Sequence, residues 1–106
     1  MDLAQKKCVP CEGGAAPLTK KQIEPYRNQI TGWELVDDAA LRKKFRFKNF
    51  REAMAFVNKV AALAEQESHH PDIRIAWNKV TLELSTHAIQ GLSENDFIMS
   101  AKINML

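Results

Sequence analysis

Between Asn49 and Glu67 the residues Phe50, Ala53, Met54, Val57, Val60, Ala61 and Ala64 recur at three-and-four spacing, which predicts one long amphipathic helix. On its C-terminal side the period changes to two. Ile73, Ile75 and Trp77 alternate with Asp72, Arg74 and Ala76, and Val80, Leu82 and Leu84 alternate with Lys79, Thr81 and Glu83, giving two half-buried strands joined near Asn78. On its N-terminal side, Trp33 to Val36 and Leu41 to Phe47 read as a hairpin around Asp37 and Asp38. Leu41, Phe45 and Phe47 share one parity and Arg42, Lys44 and Arg46 the other, with Lys43 interrupting the apolar face. Thr19 is placed to cap a short helix to about Ile30, which Pro25 should kink or shorten. Ser93 caps a last helix with Asp96 at the third position and Leu92 set to staple against Phe97; Phe97, Ile98, Ala101 and Met105 form its apolar face. The expected fold is α+β in the order α-β-β-α-β-β-α: a four-stranded antiparallel sheet with three helices packed on one face.

The chain has 106 residues, room for one hydrophobic core, and we expect a single domain over residues 18–106. Residues 1–17 hold Pro10, Gly13, Gly14 and Pro17 and read as an irregular leader. Charged residues of both signs are interspersed and the net charge is +2, which supplies no strong field for nucleic acid or an anionic membrane. No apolar run approaches the ~20 residues that cross a bilayer, and Met1 to Lys7 lacks the apolar core of a signal peptide, so the expected address is cytoplasmic. Cys8 and Cys11 form a lone C-x-x-C without the second pair a structural zinc site needs, and the surrounding prolines and glycines argue against a helix-opening redox pair; free thiols are expected.

All three histidines, His69, His70 and His87, fall at breaks between predicted elements, where sites are usually built. His69 and His70 follow the long helix and precede Pro71, which disfavours helix for the residue before it and sets the pair on a turn. Glu65 lies four residues before His69, on the same helical face if the helix continues. His87 is expected to end the last strand. An imidazole, with an ordinary pKa of about 6.5, both accepts and donates protons near neutrality, so three of them beside carboxylates point to proton-transfer chemistry. A metal site using His69, His87, Glu65 and Asp96 is the competing reading, disfavoured because adjacent histidines point in different directions and no H-x-x-x-H pair is present.

The pattern Glu65-x3-His69-His70-Pro71-x5-Trp77-x9-His87-x8-Asp96 resembles the signature of the pterin-4a-carbinolamine dehydratases. Asn78-Lys79-Val80, Leu84-Ser85-Thr86-His87 and Gly91-Leu92-Ser93 are similar to the family as well, and Gly32-Trp33-Glu34 and Phe45-x-Phe47 extend the likeness upstream. The resemblance implies dehydration of a 4a-hydroxytetrahydropterin to the quinonoid dihydropterin, downstream of an aromatic amino acid hydroxylase, with no metal or organic cofactor. It implies His70 as the principal acid/base group, with His69 and His87 flanking the 4a-hydroxyl. Glu65 and Asp96 would orient the imidazoles, and Ser85 and Thr86 would line the pterin edge. Trp77 has two readings, pterin contact or packing beside Ile73 and Ile75, and Pro71 is expected to shape the turn. Ser68 departs from the acidic residue some relatives carry there. The resemblance also implies a homodimer or homotetramer. A protein-binding role on the same fold is the alternative, since relatives act as a transcription-factor dimerisation cofactor or assist assembly of a carboxylating enzyme.

Overall fold

The computed structural model of the chain describes residues 2–9 and 16–106. Helix α1 spans Lys20–Arg27 and opens with a reciprocal capping box, Gln22 N donating to Thr19 Oγ1 (3.3 Å) and Thr19 N to Gln22 Oε1 (2.9 Å). Pro25 lies inside the helix and forgoes its bond to Lys21 without ending it; the helix stops short of Ile30 because the chain tightens there, Gln29 N donating to Tyr26 O (3.0 Å) and Ile30 N to Arg27 O (3.3 Å), yet Ile30 is still buried beyond the helix end.

Strands β1 (Glu34–Val36) and β2 (Ala40–Arg46) are joined by a tight turn in which Asp37 and Asp38 take φ of +51° and +56°, and Ala39 N donates to Val36 O (2.9 Å). Aspartate tolerates that left-handed geometry better than branched residues do. Helix α2 (Phe50–Glu67) follows, then β3 (Asp72–Ala76), β4 (Lys79–Leu84) and α3 (Glu94–Asn104). The sheet order is β1-β2-β4-β3, antiparallel throughout, with Leu41 opposite Leu84 and Phe45 opposite Val80. The three helices cover the face carrying Leu41, Val80, Leu82 and Leu84, all fully buried, as the alternation predicts. Lys43 lies on this inner face opposite Leu82, and it escapes burial of its charge by reaching the sheet's margin. Its Nζ sits 2.8 Å from Asn104 Oδ1 and 5.0 Å from the Phe45 ring centroid, and partial burial holds its pKa below the ordinary lysine value.

The stripe of α2 is narrower than its periodicity suggests. Ala53, Val57, Val60 and Ala64 are buried and Met54 is half-buried, whereas Ala61 is exposed and Phe50 at the first turn is 49% exposed. The apolar face of α3 differs in the opposite sense. Every residue from Asn95 to Ala101 is buried, along with Ile103, while Met105 falls past the helix end and is exposed. The cause is the chain's own beginning. Leu3–Gln5 form a 3-10 turn packed on α3, with Leu3 in the core, Lys102 Nζ donating to Ala4 O (2.9 Å) and Lys6 Nζ to Glu94 Oε2 (2.9 Å). A helix enclosed on all sides needs no polar face, which is why its sequence pattern looks weakly amphipathic. From the stretch read as an irregular leader, residues 2–9 thus contribute directly to packing; Cys8 is a free, half-buried thiol, and Cys11 lies outside the described residues. Among the described residues no helix is long and apolar enough to cross a membrane.

Candidate active site

Helix α2 ends in a reversal that sets the histidine pair. Ser68 takes left-handed φ of +53°, and its N–H and that of His69 both return to Ala64 O. Buried Pro71 then leads the chain into β3. His69, largely buried, places Nε2 2.6 Å from Oδ1 of Asp96, whose side chain is wholly enclosed. The other oxygen, Oδ2, accepts from Thr86 Oγ1 (2.7 Å) and from Ser93 N (3.0 Å). Because the single hydroxyl proton of Thr86 goes to the carboxylate, Ser93 Oγ, 2.7 Å away, must donate to Thr86 Oγ1. A buried carboxylate would cost several kcal/mol if left alone; here each oxygen has a donor. Asp96 therefore serves both the cap foreseen at the start of α3 and the orientation of an imidazole.

Glu65 pairs with His70 rather than with His69: His70 Nε2 lies 2.5 Å from Glu65 Oε2, with both side chains largely exposed. The helical-face expectation for Glu65 and His69 is corrected because the helix ends at Glu67 and the turn at Ser68 swings His69 towards α3. His87 does not end the last strand. Strand β4 stops at Leu84, and His87 opens a 3-10 turn, His87–Ile89, closed by the Thr86–Gly91 bridge with Thr86 N donating to Gly91 O (2.8 Å). This turn brings His87 to the lining of the same open cavity, about 650 Å³, that His69, His70, Ser85 and Thr86 also line.

The structure does not bring every expected residue to that cavity. Trp77 is 66% exposed at the tip of the β3–β4 hairpin with φ of +52°, so neither packing beside Ile73 nor a place in the cavity lining describes it. Strand parity fails there because the turn has already begun. Pro71 is buried outside the lining, and Glu65 and Asp96 stand behind the imidazoles they contact.

The remaining wall comes from residues that sequence reasoning left out. Lys7, Cys8 and Val9 line the cavity, held by Glu67 and Asn95. Glu67 Oε1 accepts from Cys8 N (2.8 Å); Asn95 accepts from Val9 N (3.0 Å) and donates to Val9 O (2.6 Å). Burial first, and then the neighbouring Glu67 carboxylate, push the Cys8 thiol up to about 12, so at neutral pH it stays protonated and is a poor nucleophile. One signal was available: Glu67 continues the Val60 and Ala64 spacing, which places a carboxylate on an otherwise apolar helical stripe.

The sequence profile of the pterin 4 alpha carbinolamine dehydratase family matches residues 16–106. A Rubrobacter xylanophilus protein ascribed to the pterin-4-alpha-carbinolamine dehydratases is 50% identical over 105 residues, covering 99% of this chain and 98% of its own. A Nitrosomonas eutropha protein of the same ascription is 51% identical over 106 residues, covering 99% and 93%. Among solved structures, the transcriptional coactivator/pterin dehydratase from Brucella melitensis superposes with a TM-score of 0.78 at 34% identity, covering 84% of this chain and 96% of its own. A pterin dehydratase-like protein identified as a RuBisCO assembly factor in the alpha-carboxysome shares the fold alone, at a TM-score of 0.60 and 24% identity over 70% of this chain and 87% of its own.

Proposed function

The chain belongs to the pterin 4 alpha carbinolamine dehydratase family, a family of hydro-lyases, and on that premise we propose that it dehydrates 4a-hydroxytetrahydrobiopterin to quinonoid dihydropterin and water by histidine acid/base catalysis. The observation that carries this reading is that three histidines line one cavity and two of their imidazoles are bonded to carboxylates. The reaction breaks the C4a–O bond and the N5–H bond. An acid protonates the departing hydroxyl, a base takes the N5 proton, and the electron pair left on nitrogen closes the N5–C4a double bond. The protein gains one proton and loses one, so no oxidant, reductant or cofactor enters the balance.

With its proton on Nε2, donated to a carboxylate, each of His69 and His70 carries its lone pair on Nδ1, the atom left to exchange a proton with substrate. His70 is assigned the principal acid/base role, with His69 and His87 flanking the 4a-hydroxyl. Ser85 and Thr86 line the pterin edge. The substrate's source is an aromatic amino acid hydroxylase, the setting is tetrahydrobiopterin recycling, and the location is cytoplasmic. The test is the rate of quinonoid dihydropterin formation from freshly generated 4a-hydroxytetrahydropterin. Wild type is expected to exceed the spontaneous rate, His70→Ala is expected to lose on the order of 10²-fold or more, and His87→Ala, a flanking group whose loss the other imidazoles partly cover, about tenfold. A folded wild type that gives no acceleration overturns the enzyme reading and leaves the alternative, a protein-binding module on this fold.

A homo-oligomer belongs to the same reading. Strand β3 is an edge strand, and Ile75 (41% exposed) and Trp77 leave apolar surface beside it. Light scattering on the eluting protein is expected to give at least twice the chain mass; a monomer at all concentrations would refute it.

A further inference from the structure

The buried Glu67 carboxylate and Asn95 carboxamide take no part in the acid/base scheme, although both residues border the cavity beside residues 7–9. Glu67 is 8% exposed and Asn95 5% exposed. An ionised side chain in such a place is unfavourable unless something on the protein needs it. Lys102 Nζ, 4.0 Å from Glu67 Oε2, offsets part of that charge; the hydrogen-bond partners of the two side chains are the backbone groups of Cys8 and Val9, three bonds on two consecutive residues some 60 to 90 positions away in sequence. The two anchors also have revealing neighbours. Glu67 lies two residues before His69 and Asn95 immediately before Asp96, so the turns that fix the His69–Asp96 pair also fix the strap that lines the same cavity as His69.

We propose that residues 7–9 are a substrate-positioning wall of the cavity, clasped by Glu67 and Asn95 so that the planar pterin is held against the histidines; this rests on the dehydratase reading above. The wall contacts substrate on the side away from the imidazoles and moves no proton. Glu67 and Asn95 are accordingly positioning residues, acting through the strap. Because the strap is ordered before substrate arrives, its ordering entropy is not charged to binding, and its loss falls on affinity rather than on the chemical step.

The distinguishing measurement is a split between KM and kcat. Asn95→Leu keeps the branched shape of the side chain, at a larger volume, and removes both hydrogen bonds to Val9. Two bonds of ordinary strength correspond to a rise in KM of about tenfold, with kcat falling less than about threefold and the pH profile of kcat unmoved. Val9→Pro removes the N–H that Asn95 accepts at a residue 64% exposed, and tests the clasp from the surface without touching the core. An unchanged KM in both variants overturns the wall, as does a fall in kcat with KM unmoved.

A binding readout separates this inference from the reaction. In a Cys11→Ser background, alkylation of Cys8 is expected to accelerate in Asn95→Leu as the strap loosens, and to slow in the parent when 7,8-dihydrobiopterin fills the cavity. An active enzyme whose Cys8 alkylation is indifferent to the dihydropterin refutes the wall and leaves the dehydratase standing. Protection of Cys8 in a protein without dehydratase activity supports the wall and refutes the dehydratase.

Discussion

Asp96→Asn is expected to lower kcat by a factor on the order of 10² while leaving the protein folded, because a carboxamide cannot satisfy the three groups that Asp96 now serves. Oδ2 accepts from Ser93 N and Thr86 Oγ1, and Oδ1 faces His69 Nε2. An asparagine has one acceptor oxygen, and the pair of donors, Ser93 N at the start of α3 and Thr86 Oγ1 beside it, will claim it. The amide NH₂ must then face Nε2, which forces that nitrogen to accept and moves the imidazole proton to Nδ1. His69 is left in the wrong tautomer, with no lone pair on the atom meant to receive a proton and no anion to stabilise the imidazolium. The steady-state rate gives the magnitude, and ¹H–¹⁵N correlation of the imidazole nitrogens reads the tautomer directly. Wild-type kcat, or an unchanged Nε2–H tautomer, would remove His69–Asp96 from the proton-transfer scheme. Thermal unfolding of the variant is the control, since the retained oxygen still caps α3.

How far the sequence announced this arrangement depends on whether a feature is local. The position of α2, the β4 alternation and the Ser93–Asp96 cap involve spacings of two to four residues and stand close to where periodicity or cap put them, whereas β3 forms in its expected place but leaves Ile75 exposed at the sheet edge, with only Ile73 partly buried. The histidines were legible as a set because the breaks that carry them are marked by Pro71 and by the end of an alternating strand. Partner choice was not. Asp96 reaches His69 across 27 positions, and Glu65 exchanges His69 for His70 because a single left-handed residue, Ser68, redirects the chain. A β-branched residue there would meet steric strain; serine takes it at modest cost. The strap was invisible for a different reason. Its docking uses backbone N–H and C=O groups of residues 8 and 9, which every sequence possesses, so only the buried ends, Glu67 and Asn95, could have marked it. Trp77 shows the reverse error, a pattern extended one residue into a turn.

Phe97→Ala is expected to destabilise the domain by about 3–5 kcal/mol, the range for removing a fully buried aromatic ring. Phe97 is 0% exposed, its ring stacks on Tyr26 at 5.2 Å, and it stands four positions into α3, in the same buried core cluster as Leu92, the residue before the cap. The cavity left behind has little freedom to collapse, since α3 is enclosed by the sheet, by α1 and by the Leu3 turn. For a domain of this size the loss corresponds to a fall in Tm of roughly 15–30 °C. The consequence reaches the site through geometry: Asp96 is the preceding residue and Asn95 the one before it, so a frayed first turn of α3 releases the His69 anchor and the strap together. Activity in Phe97→Ala is therefore expected to be lost well below its unfolding midpoint and to recover on cooling. If activity and the global unfolding signal instead disappear at one temperature, the first turn of α3 unfolds only with the whole domain, and the staple stabilises the fold without separately governing the site.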